Sequence, residues 1–377
     1  MNSGSSTLHL VCMMICIQVL GAVAGCKEPK VPPAIFVFGD GMLDVGNNNY
    51  LNYSEDLGSP HLANHSYYGI DFPNSEPTGR FSNGYNIADF IAKAMGLEIS
   101  PAAYLSLTGP INMDGFTGVN YASECAKILN INDEMDRCAA NTIPLLTQVA
   151  AFTATRAQME LQLSSRELKK LLSKSLFLIG IGTCDLFRAS LLQALGISTK
   201  FDPSADVQYV ASSLAAAIRA LHDAGARKFA VINAPPIGCA PGGRMPWLVR
   251  GRRVHVPNGR CDETKNKLVV EFNDGIRHLM ANLSSELDGL RYSIADFYDF
   301  ANATFVNPSA AGFVDIASEC CTNYLCDSPP CQNRSQYWFW DNLYPTEQAA
   351  KLAAAAFYDG PAQFTVPFSF KKLVQKK

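Results

Sequence analysis

Apolar and polar positions follow two periods along this chain. Short, mainly apolar runs at Ala34–Gly39, Leu176–Gly182, Lys228–Asn233 and Tyr292–Asp296 have strand length, which predicts strands buried on both faces. Between them the period becomes helical. Val207, Val210, Ala211, Leu214, Ile218 and Leu221 share one face, and Gly225 stands where a C-terminal cap falls. A second stripe, Leu268, Phe272, Ile276, Leu279, Leu283 and Leu287, predicts a helix from about Thr264 to Leu287. Helical spacing also marks Ile87 to Met95, and the Ala-rich Thr346–Tyr358 reads as the last helix. Strands alternating with amphipathic helices predict a three-layer α/β/α domain with a mainly parallel, flavodoxin-like sheet. Sites in such sheets sit at the carboxyl ends of strands. Gly41 and Cys184 both follow predicted strands, so one crevice is expected to hold both.

Composition narrows the class. The chain has 377 residues, 48% hydrophobic and 17% charged, with a net charge of −3. It holds enough apolar surface for one large domain and lacks the clustered basic charge that nucleic acid requires. Leu8 to Leu20 is mostly apolar and is followed by the small residues Ala22-Val23-Ala24. This predicts a signal peptide over 1–24 and a single mature domain over 25–377 with its core at about 33–361. The apolar run is shorter than the ~20 residues of a membrane span, so no transmembrane segment is expected in the mature chain. Of twelve cysteines, Cys12 and Cys16 leave with the signal. The ten that remain are an even number, which behind a signal implies disulfides. The Cys320–Cys331 cluster has neither paired C-x-x-C units nor a histidine beside it, so zinc is not expected there. Sequons begin at Asn52, Asn64, Asn282, Asn302 and Asn333, as in a secreted glycoprotein.

Four ordered motifs carry more. Phe36-Val37-Phe38-Gly39-Asp40-Gly41-Met42-Leu43-Asp44 runs into Gly46-Asn47-Asn48-Asn49-Tyr50; Pro77-Thr78-Gly79-Arg80-Phe81-Ser82-Asn83-Gly84, Pro235-Pro236-Ile237-Gly238-Cys239 and Phe339-Trp340-Asp341 before Pro345-Thr346-Glu347 follow. In sequence and order these resemble the plant-type GDSL esterase/lipase family of the SGNH-hydrolase superfamily, over roughly Pro33 to Pro361. The resemblance implies the superfamily's α/β/α fold, no cofactor and no metal. It also implies secretion to the cell wall or apoplast. Val23-Ala24-Gly25-Cys26 resembles a bacterial lipoprotein box, a reading set aside because the rest of the chain looks plant-like.

Members of that family use a serine nucleophile, glycine and asparagine donors to the oxyanion, and a histidine base oriented by aspartate. Serine needs a base to become nucleophilic, imidazole titrates near neutral pH, and N–H donors stabilise the tetrahedral oxyanion. This chain departs at every such position except the aspartate. Gly41 stands for the serine. The block Ala122-Ser123-Glu124-Cys125-Ala126-Lys127 replaces three glycines, with Cys125 at the oxyanion position and Glu124 as the neighbouring alternative. Cys184 replaces the asparagine and Tyr344 the histidine, while Asp341 remains. Losing nucleophile or base alone costs on the order of 10⁶ in kcat.

The resemblance therefore implies a pseudoenzyme with a residual cleft for an ester, acyl or carbohydrate ligand, or a surface for a protein partner. The alternatives are an active ester hydrolase with a non-standard site and a folded, non-functional paralogue. Cys184 as nucleophile, Tyr344 as base and a metal among Asp40, Asp185 and Asp341 are each disfavoured. His61, His65, His222, His255 and His278 fall outside the matched blocks and read as ordinary surface or core histidines. Because the family's two donors converge on one oxygen, their replacements Cys125 and Cys184 are candidates for a disulfide across the site; pairing of one with Cys138 is the alternative.

Overall fold

The computed structural model describes residues 34–376 apart from 53–60, 130–141, 198–199, 201, 203–204, 246–247, 250–251, 254–259 and 323–325. The predicted signal segment, Cys26, Cys138 and His255 lie outside the described residues.

The elements that build the domain are, in chain order, β1 (Ile35–Gly39), α1 (Ile87–Ala94), β2 (Gly118–Asn120), α2 (Leu145–Glu160), α3 (Ser165–Lys174), β3 (Leu176–Gly180), α4 (Thr183–Ala194), α5 (Val207–Asp223), β4 (Lys228–Ile232), α6 (Glu263–Glu286), β5 (Arg291–Ala295), α7 (Phe297–Val306), β6 (Asp315–Glu319), β7 (Tyr337–Phe339), α8 (Glu347–Asp359), β8 (Thr365–Val366) and α9 (Phe370–Gln375). The central sheet has the order β2-β1-β3-β4-β5-β8. Its first five strands are parallel, and β8 closes the edge antiparallel to β5.

The apolar runs become central strands because both of their faces are covered. In β1, Phe36 and Phe38 face one core with α2, α5 and α6, whereas Ile35 and Val37 face the other with α1, α8 and α9. This is the three-layer arrangement the periodicity predicts. Helix α5 ends as expected: Ala226 N–H reaches back to Leu221 O at 3.0 Å, and Gly225 supplies a φ of 115°. Two expectations need correction. Thr346–Tyr358 is not the last helix, because α9 follows it and buries Phe370 and Leu373 against the sheet. The three-residue β2 was not foreseen; it is a strand only through pairing with β1, from Ile35↔Gly118 to Val37↔Asn120.

The family-like motifs are largely scaffold. Asn47 donates to Asn120 O and Ala122 O at 2.9 and 2.8 Å, tying the β1 loop to the β2 loop. Arg80 is buried and makes a two-pronged ion pair with Asp89 at 2.8 and 2.9 Å. Asn83 Oδ1 accepts from Glu347 N–H at 2.8 Å, so the second motif also caps α8. Three disulfides, Cys239–Cys261, Cys320–Cys331 and Cys321–Cys326, occur among the described residues. The Cys320–Cys331 cluster is thus a pair of bridges.

Candidate functional site

The carboxyl ends of the central strands lie level, with Gly39 opposite Gly180, Gly180 opposite Ile232 and Ile232 opposite Ala295. The order in which strands are added to the sheet reverses between β1 and β3, which is where an open α/β sheet forms its crevice. The turn after β1 brings Gly41 to this point, the β2 loop brings Glu124 and Cys125, and the start of α4 brings Cys184. The loop after β7 brings Asp341 and Tyr344.

Gly41 is buried, and its φ lies outside the left-handed region, so its backbone would accept a side chain. The space would not. A Cβ placed there falls well inside contact distance of Glu124 Oε2 and Tyr344 Oη, and 2.6 Å from Tyr344 Cζ. The Tyr344 hydroxyl donates to Glu124 Oε2. This hydrogen-bonded pair fills the volume into which a nucleophilic hydroxyl would project.

Glu124 is held firmly. Its N–H donates to Asp44 Oδ2 and Asn48 Oδ1, both at 3.1 Å, so that amide is already committed. Cys125, the next residue, has φ 60°, the left-handed conformation that favours glycine.

The expected Cys125–Cys184 bridge is not formed; both residues stand outside the disulfides. Cys125 Sγ turns instead toward Glu124 Oε1 at 3.5 Å and His61 Nδ1 at 3.8 Å. His61 therefore belongs at the site, contrary to its reading as an ordinary histidine. Its loop is fastened there by Asn48, whose amide donates to His61 O at 3.3 Å. His65 does fit the ordinary reading: its Nε2 contacts Leu62 O and its Nδ1 contacts Ser66 O.

Asp341 keeps its place with new partners. Its Oδ1 accepts from Leu343 N–H and Tyr344 N–H at 2.8 and 2.7 Å, and its Oδ2 accepts from the Tyr68 hydroxyl at 2.9 Å. Asp185 accepts from Ile128 and Leu129 N–H at 2.9 and 3.2 Å, a structural role. Lys127, which replaces the third glycine, is buried, and burial pushes its ammonium pKa down. Tyr344 is pushed well above the usual phenol range, chiefly by burial and then by Glu124's charge, so it cannot serve as a neutral-pH base.

The buried acids set a pH dependence. Burial, followed by the charge of Glu124, raises Asp40 from 3.8 to about 7. Its Oδ2 has no hydrogen-bond partner among the described residues. Burial also raises Asp185 and Asp341 to about 6. The folded protein thus keeps protons that the unfolded chain releases near pH 4. The associated stability is complete below the unfolded pKa and is lost as pH rises through 6 to 7. Unfolding free energy is expected to be on the order of 5 kcal/mol lower at pH 8 than at pH 5, measured from denaturant midpoints. Equal or greater stability at pH 8 would contradict this.

Sequence reasoning missed His61, Tyr68 and the space-filling role of Glu124. The only signal for Glu124 was its position in a block of replaced glycines. Tyr68 and His61 lie in loops outside every motif.

A family model, GDSL-like lipase/acylhydrolase, matches residues 35–357. Among similar proteins, a GDSL esterase/lipase of Arabidopsis thaliana is 35% identical over 358 residues, covering 91% of this chain and 90% of the relative. GDSL esterase/lipase 7 of the same organism is 32% identical, covering 97% of this chain and 99% of its own length.

Proposed function

The chain belongs to the GDSL-like lipase/acylhydrolase family, and on that premise we propose that it is a secreted, glycosylated pseudoenzyme. The single observation that carries this reading is the Glu124–Tyr344 pair lodged beside Gly41. The family's serine position not only lacks its hydroxyl; the space for one is taken by two side chains that hold each other. The scaffold motifs around this centre keep their hydrogen bonds, so the loss is confined to chemistry. What remains is a site for recognition: an ester, acyl or carbohydrate ligand in the crevice, or a protein partner. A small apolar pocket beside Thr183, lined by Phe187, Pro235, Phe305, Trp338 and Leu343, adjoins the site.

The test is reaction with a serine-directed fluorophosphonate, followed by peptide mapping. No labelled residue is expected, and stoichiometric labelling of any serine would overturn the proposal. The contact between Cys125 Sγ and His61 Nδ1 supports a second reading, a thiol ester hydrolase, because that pair has the components of a nucleophile and its base. Ester turnover abolished by both Cys125→Ser and His61→Gln would establish it.

Export and glycosylation rest on the N-terminal signal pattern and on the sequons. Asn52, Asn64, Asn282 and Asn333 are exposed, whereas Asn302 is half-buried. Among the described residues, no helix is long and apolar enough to cross a membrane. Glycopeptide mapping of secreted protein is expected to find glycans at the four exposed asparagines and none at Asn302. Predominant occupancy of Asn302 would contradict that order.

A further inference from the structure

We infer that His61, Glu124 and Cys125 form a binding site for a zinc-type divalent ion. Three donor atoms of different kinds converge on one point. His61 Nδ1 lies 3.5 Å from Glu124 Oε1 and 3.8 Å from Cys125 Sγ, and Glu124 Oε1 lies 3.5 Å from Cys125 Sγ. In a tetrahedral zinc site with bonds of about 2.0–2.3 Å, neighbouring ligand atoms are separated by about 3.3–3.8 Å. The three measured separations are those of one tetrahedral face. An imidazole, a carboxylate and a thiolate are ligand types that zinc accepts together, and the nitrogen and sulfur donors select against magnesium and calcium.

The surroundings hold the three donors where an ion needs them. Tyr344 donates to Glu124 Oε2, which leaves Oε1 directed at the histidine and the cysteine. Hydrogen bonds to a ligating carboxylate of this kind fix its orientation. Asn48 ties the backbones of two ligands together, accepting from Glu124 N–H and donating to His61 O. The left-handed φ of Cys125 turns its sulfur toward the same point. Glu124 and Cys125 are buried, and His61 is 26% exposed, which places the route of entry on the imidazole side. One dication also balances the carboxylate and the thiolate that ligation brings together. The three protein ligands leave the fourth position to water or to a donor atom of a bound ligand, as in zinc sites that exchange ligands.

Within the family, two of these ligands occupy positions where the relatives' pattern has glycine. Tyr344, at the position of the base, donates to Glu124 and so orients one of these two. Three replaced positions, Glu124, Cys125 and Tyr344, thus take part in the metal site. The inference does not require the absence of turnover, because binding is read without an activity assay.

The experiment is titration of chelator-treated protein with cobalt(II). Binding of one cobalt per chain is expected, with a thiolate-to-cobalt charge-transfer band in the near ultraviolet and visible bands of four-coordinate intensity. Zinc should displace the cobalt. Cys125→Ser should abolish the charge-transfer band, and His61→Gln, at a partly exposed position and so a milder change for folding, should weaken binding by more than the roughly 10–100-fold that losing an outer-shell partner costs. Cys184→Ser should leave the band intact. Failure to bind cobalt, a spectrum without the thiolate band, or a band that depends on Cys184 rather than Cys125 would each overturn the site. Ester turnover in a protein that binds cobalt through Cys125 would remove the pseudoenzyme reading and leave the metal site standing. Absence of both turnover and binding would do the reverse.

Discussion

Purified protein is expected to hydrolyse short- and medium-chain p-nitrophenyl esters no faster than a heat-inactivated sample. Relative to an active serine hydrolase of the same fold, the deficit should be on the order of 10⁶ in kcat. Two independent features produce it. At Gly41 there is no hydroxyl, and at Tyr344 there is a phenol whose pKa burial drives above the range of a neutral-pH base. Either suffices, and their effects do not add because nucleophile and base act as one unit. Cys184 removes the amide donor as well, which in a competent enzyme costs about 10²–10³. Activity that disappears on heating, survives removal of contaminants and follows a point substitution in this chain would contradict the expectation.

The second large effect concerns restoration. Gly41→Ser with Cys184→Asn and Tyr344→His returns the family's three lost side chains. It nevertheless leaves the Glu124 carboxylate in the space that the serine Cβ and hydroxyl require. Adding Glu124→Gly is therefore expected to raise esterase activity at least about tenfold over the three-site variant, the size of effect that mispositioning a reacting group by an ångström carries. Gly41→Ser alone should restore nothing and should lower stability by about 1–3 kcal/mol, because it overpacks a closed site. Thermal unfolding of Gly41→Ser, alone and with Glu124→Gly and Tyr344→His, separates the two contributions. An unchanged midpoint for the single variant, or equal activity of the three-site and four-site variants, would show that Glu124 moves aside readily.

The proposed metal site and the filled serine pocket draw on the same residue through different atoms. Glu124 Oε2, bonded to Tyr344, closes the old site, while Oε1 faces His61 and Cys125. A bound ion would draw Oε1 without releasing Oε2. Zinc is therefore expected to stabilise the protein, and the closed pocket beside Gly41 should persist when metal is bound.

What the sequence determined by itself is the architecture, and motif order alone carries the proposal that catalytic groups are lost. The central strands were legible because a parallel strand covered on both faces reads as a compact apolar run, as Ile35–Gly39 and Leu176–Gly180 do. The helices were legible where one face is apolar, as in Val207–Asp223. The proposed absence of the serine, asparagine and histidine was read from motif order, without any knowledge of contacts. What only the tertiary structure decided is which groups took their place. Gly118–Asn120 is too short to announce a strand and acquires its identity from β1. The cysteine pair looked suited to a bridge when only the family's converging donors were considered, but side-chain direction is set locally. A left-handed backbone at Cys125 and the Asn48 contact to His61 turn that sulfur toward an imidazole and a carboxylate. His61 and Cys125 are 64 residues apart. No period or motif links them; their meeting depends on how the β1 and β2 loops fasten across the ends of the strands.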